Sequence, residues 1–113
     1  MVATLLPSSA AVARRLDERT LVSVVVPCFN EEAVLVRLYD RLSRVAEGWG
    51  TDYEVILVDD GSTDATWPAA AALHGRDGRW KAIRLGRNFG HQTALRVGLH
   101  AAGGRAIDPG VVA

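Results

Sequence analysis

An α/β fold built on a parallel sheet is what this sequence predicts, and three observations predict it. Two runs rich in β-branched residues, Leu21 to Val26 and Tyr53 to Val58, are apolar at consecutive positions, as strands buried on both faces must be. Trp80 to Leu85 reads as a third strand. Helical segments alternate with the runs, so the order reads strand, helix, strand, helix, strand, helix. That alternation implies right-handed crossovers and a Rossmann-like parallel sheet with flanking helices.

The first strand stops at Pro27, and the turn at Cys28 and Phe29 leads to Asn30, a residue type suited to capping a helix. Glu31 and Glu32 then place negative charge in the first turn, where the helix dipole favours it. Val34, Leu35, Leu38, Leu42 and Val45 recur at helical spacing against a polar face of Arg37, Asp40, Arg41 and Arg44. Gly48 and Gly50 end this helix. The second strand gives way to a turn, Asp59 to Asp64, whose side chains readily bond their own backbone. The helix after it runs through the alanines to Leu73, and Pro68 predicts that its regular part starts only near Trp67. Gly75 to Gly78 form a turn, Gly86 to Gly90 a glycine-bounded loop, and His91 to Ala102 a third helix ended by Gly103 and Gly104. Residues 1–20 read as a flexible tail, 21–104 as the folded unit and 105–113 as a divergent or truncated end.

Composition excludes several classes. Apolar residues make up 49% and charged residues 23% of 113, which is ordinary for one globular domain. Lys plus Arg equals Asp plus Glu at 13 each, so no net field draws the chain to nucleic acid or to an anionic membrane. The single cysteine, Cys28, forms no internal disulfide and suits a reducing compartment; the expected location is cytoplasmic. The run Leu21 to Phe29 is about half of the roughly 20 residues a membrane-spanning helix needs. There is no G-x-G-x-x-G after the first strand, no P-loop and no G-x-S-x-G, so dinucleotide enzymes, P-loop NTPases and serine hydrolases lose support.

In open sheets of this kind ligands collect beyond the carboxyl ends of the strands, so the loops at 27–31, 58–64 and 86–90 should share one edge. The first two are PCFNEE and VDDGSTD. A carboxylate at a strand end can accept from a base N–H or a ribose hydroxyl, and Pro27 with Phe29 offers a rigid apolar surface for a ring. The third loop adds Arg87 and Asn88 ahead of a helix N-terminus that favours an anion such as a diphosphate. Each motif also has a plainer reading. Asn30 and Glu31 serve equally as cap and first-turn charge, and Arg87 and Asn88 as a solvated turn. Asp59 and Asp60 close a turn, although adjacent carboxylates repel and call for a reason. Cys28 is a small buried residue with no basic neighbour to activate it. His74, His91 and His100 have no metal-ligand spacing, and Trp49, Trp67 and Trp80 fill core and edge positions.

Taken together, VSVVVPCFNEE from Val22, YEVILVDDGSTDAT from Tyr53 and IRLGRNFGHQTALRVGLHAA from Ile83 resemble the start of family 2 glycosyltransferases of the GT-A fold, in particular the polyprenyl-phosphate sugar synthases. The resemblance spans Leu21 to about Ala102. It implies the N-terminal portion of a GT-A fold and transfer of a hexose from a UDP- or GDP-type sugar to an acceptor such as a polyprenyl phosphate. It also implies Mg²⁺ or Mn²⁺ at the diphosphate. The positions matching Pro27, Phe29, Glu31, Val58 and Asp60 line the nucleotide, with Asp60 on the base.

The family continues into a strand ending in a D-x-D motif that binds the cation. Here the chain reads GGRAIDPGVVA, and Asp108 followed by Pro109 is no D-x-D. No metal or catalytic residue is therefore assigned, and little transfer is expected of this polypeptide alone. Two other classes compete: a non-catalytic nucleotide-sugar-binding or protein-interaction module, and a phosphoacceptor receiver-like domain, which Glu31 and Lys81 fit badly. So narrow a parallel sheet exposes an edge, so self-association is expected.

Overall fold

The computed structural model describes residues 11–15, as backbone, and 21–102. Strand β1 (Ala11–Arg15) precedes β2 (Leu21–Cys28), helix α1 (Glu32–Glu47), β3 (Asp52–Asp59), α2 (Thr66–Arg76), β4 (Trp80–Arg84) and α3 (His91–Ala101). The sheet order is β1-β2-β3-β4. β2, β3 and β4 are parallel, and their register sets Cys28 beside Asp59 and Asp59 beside Arg84. The three strands therefore finish in one row, and the loops that follow them share one edge, as expected from the alternation.

Strand periodicity divides the core in two. Val24, Val26, Val55, Leu57 and Ala82 face α1 and α2, meeting Leu35, Leu38, Leu42, Ala70 and Leu73. Val25, Ile56, Val58, Ile83 and Leu85 face α3. Trp80 is fully buried on the first side, whereas Trp49 lies at the edge against the Tyr53 ring. α3 comes unusually close to the sheet at Gly98, where a Cβ would stand 2.2 Å from Val25 Cγ1.

Four local expectations are corrected. Residues 11–15, read as tail, form a strand antiparallel to β2, from Ala11 beside Val25 to Arg15 beside Leu21; a valine-rich strand apolar on both faces leaves an edge of unpaired backbone groups that a neighbouring extended segment satisfies. The buried stripe of α1 ends at Ala46, while Val45 is 57% exposed, because the spacing 35, 38, 42, 46 follows the helix more closely than one ending at 45. α2 begins at Thr66, ahead of Trp67, which makes Pro68 its third residue. The first four N–H groups of a helix have no intrahelical acceptor, so the proline removes nothing there. Lastly, α3 ends at Ala101. Gly103, Gly104, Asp108 and the rest of 103–113 lie outside the described residues, as do 1–10 and 16–20. No described helix is long and apolar enough to cross a membrane.

Candidate functional site

At the carboxyl edge of the sheet lies an open cleft of about 260 Å³, lined by Pro27, Cys28, Phe29, Glu31, Asp60, Asn88, Gly90 and His91. Four of the five residues singled out for a nucleotide, Pro27, Phe29, Glu31 and Asp60, meet there. Val58 does not. It pairs in register with Pro27, but strand alternation turns it to the α3 side, where it is fully buried in the core. Asn88, Gly90 and His91 come from the third loop and the start of α3; a signal for them was the glycine-bounded GRNFG segment opening a helix.

Asp59 and Asp60, adjacent in sequence and both buried, are kept apart by the same alternation. Asp59 Oδ1 accepts from Ser62 N at 3.1 Å, closing its own turn. Asp60 turns the other way and accepts from Phe89 N at 2.8 Å and Gly90 N at 3.1 Å, one on each oxygen. The two neighbouring carboxylates thus face different backbone donors, one on Asp59 and two on Asp60. Each oxygen of Asp60 has a second lone pair, so it can still accept from a ligand in the cleft. Gly61 completes this junction with φ +74°, and a Cβ there would sit 2.4 Å from the Arg87 carbonyl carbon.

The first two loops are also joined. Asn30, φ +53°, does not cap α1, which begins with Glu31 at its N-cap and without a side-chain cap bond. Its Oδ1 instead accepts from Thr63 N (2.9 Å) and Asp64 N (3.3 Å), and its own N–H donates to Ser62 Oγ at 2.8 Å. Glu31 N donates to Thr66 Oγ1 at 2.8 Å, and Glu32 Oε1 accepts from Ala65 N at 3.1 Å. The capping chemistry expected along the chain is spent across it.

Burial pushes the Cys28 thiol far above its ordinary range, and the charges of Asp59 and Glu31 add to that, so it stays protonated and is no nucleophile. The Arg87 guanidinium lies over the Phe89 ring at 4.4 Å, outside the lining. Lys81 sits 3.4 Å from buried Glu54 rather than near Glu31, which removes the basis for a receiver-like site. Among the described residues no group of three His, Cys, Asp or Glu side chains is arranged to hold a metal ion. What the cleft does offer is an apolar wall, two carboxylates as acceptors, and the first turn of α3 with its positive dipole end.

Comparison with known proteins identifies the family. The family described as "Glycosyl transferase family 2" matches residues 23–107. Dodecaprenyl-phosphate galacturonate synthase of Rhizobium johnstonii is 43% identical over 86 residues, covering 75% of this chain and 25% of that protein. Undecaprenyl-phosphate 4-deoxy-4-formamido-L-arabinose transferase of Aeromonas hydrophila is 40% identical over 90 residues, 77% of this chain and 27% of that protein. An uncharacterized glycosyltransferase of Bacillus subtilis, YkcC, is 41% identical over 85 residues, 75% of this chain and 26% of that protein. The chain thus spans about a quarter of the length of these curated relatives. A family match over three strands, three helices and every residue of the cleft leaves one assignment: the chain belongs to glycosyl transferase family 2.

Proposed function

We propose that the cleft binds a nucleoside-diphosphate sugar of the UDP or GDP type and that the chain serves as the donor-binding part of a hexosyltransferase. The observation that carries this reading is the meeting of Pro27, Phe29, Glu31 and Asp60 in one cleft beside the α3 N-terminus. Pro27 and Phe29 give a ring a flat apolar neighbour. Asp60, anchored by two backbone donors, presents its remaining lone pairs to an N–H of the base or a ribose hydroxyl. The diphosphate then runs toward Asn88 and the first turn of α3, where the dipole favours negative charge.

A polyprenyl phosphate is the acceptor we favour, on the strength of the relatives' names. The family's divalent cation would offset charge on the leaving diphosphate. Among the described residues no group of three His, Cys, Asp or Glu side chains is arranged to hold it.

Titration calorimetry of the chain with UDP, GDP and their hexoses, with and without Mg²⁺ or Mn²⁺, tests the reading. Saturable binding of at least one nucleotide, lost in Asp60→Ala, is the expected result. Heats no larger than dilution for every ligand, in every cation condition, would overturn it.

A further inference from the structure

We propose that Asn30 is a positioning residue for the donor: through its side-chain oxygen it ties the first loop to the second and so aims Phe29 and Glu31 into the cleft. The inference rests on the nucleotide-sugar reading above and adds to it a residue outside the cleft lining. Phe29 is 43% exposed, so packing fixes its direction only in part. The rest comes from the backbone, and the backbone at Asn30 takes the left-handed φ of +53° that only a few side chains tolerate.

Three donors converge on Asn30 Oδ1: Thr63 N, Asp64 N and, at 3.4 Å, the Thr63 hydroxyl. Backbone bonds on either side complete the tie, Asn30 N to Ser62 Oγ and Glu31 N to Thr66 Oγ1. All three contacts of the side chain use the oxygen as acceptor. Asn30 is itself exposed, so these bonds order a loop rather than fill a core. Since Asp60 ties the second loop to the third, hydrogen bonds join the three loops in series, and Asn30 closes the side of that block on which Phe29 and Glu31 stand.

The chemistry separates acceptor from conformation. Asn30→Asp keeps an acceptor oxygen and tolerates positive φ. Asn30→Gly keeps only the conformational freedom. Asn30→Ala keeps neither. In calorimetry with UDP and GDP on the whole chain, Asn30→Ala and Asn30→Gly should bind about tenfold more weakly than the unaltered protein, and Asn30→Asp within about threefold of it. Asn30→Asp and Asn30→Gly should unfold thermally within a few degrees of the parent, and Asn30→Ala lower than either, because alanine also bears the left-handed φ.

Equal affinity in Asn30→Gly, or an Asn30→Asp variant as weak as Asn30→Gly, overturns the positioning role even if Asn30→Ala fails to fold. If the unaltered chain binds neither UDP nor GDP, the nucleotide reading fails first and this role with it. If it binds and the variants bind equally well, only the role fails.

Discussion

Asp60 and Gly61 do at the residue scale what neither could do singly. The carboxylate gathers two backbone N–H groups of the third loop, and the glycine lets that loop lie against the second with no Cβ between them. Gly61→Ala meets two obstacles: a left-handed φ, costing about 1–2 kcal/mol, and a backbone contact of 2.4 Å that no side-chain rotation relieves. The expected outcome is a fall in unfolding free energy of about 2 kcal/mol or more, read from urea denaturation, together with loss of nucleotide binding as Asn88 and Gly90 are pushed away from Asp60. Unchanged stability in Gly61→Ala would show that the two loops are not in contact in solution. Asp59 and Asp60 also show a limit of reading residues in a line. Their adjacency was legible, but their separate partners were not, since these depend on which loop each side chain faces.

At the scale of elements, α3 decides how the cleft is placed, because Phe89 and Gly90 lead directly into it. Its seat on the sheet is set by Gly98, buried against Val25 and Val58. Two effects compete in Gly98→Ala. Helix propensity favours alanine by about 1 kcal/mol, whereas overpacking a filled core costs about 1–3 kcal/mol. The contact at 2.2 Å is to a β-branched side chain that is itself fully buried and has little freedom to turn, so the second effect wins. Net destabilisation of about 1–2 kcal/mol is expected, and a variant more stable than the parent would mean that α3 sits further from the sheet. The helices and parallel strands were legible because 3.6-residue and buried-strand patterns are local properties of the chain. Val45 and Pro68 were misread by one position for the same reason: a stripe or a first turn is fixed only once the helix has met its neighbours.

At the scale of the whole molecule, the described residues form a four-stranded sheet with two edges of different character. The edge beside β2 is closed over Leu21 to Val25 by β1, which no local pattern announces, because five residues of mixed character acquire strand geometry only from the partner they pair with. The other edge, β4, has no strand beyond it among the described residues and carries Lys81 and Arg84, charges of the kind that discourage edge-to-edge pairing. Self-association, expected from the narrowness of the sheet, is therefore predicted to be weak and reversible. Sedimentation velocity over a wide concentration range should show a boundary that shifts only at the highest loading. A monomer at every concentration would remove the prediction, and irreversible aggregation would mean that β1 does not hold its edge.

Local pattern alone determined the alternation of strands and helices, and with it the shared edge where Pro27, Phe29, Glu31 and Asp60 had to gather, because periodicity and strand order suffice to say which loops become neighbours. Tertiary structure alone decided what those neighbours do to one another. It turned Val58 into the core, split Asp59 from Asp60, and made a clasp of Asn30 where a helix cap was expected. A hydrogen bond between side chain and backbone more than thirty residues apart is specified by the packing of the elements that carry them, and no short stretch of sequence contains that information.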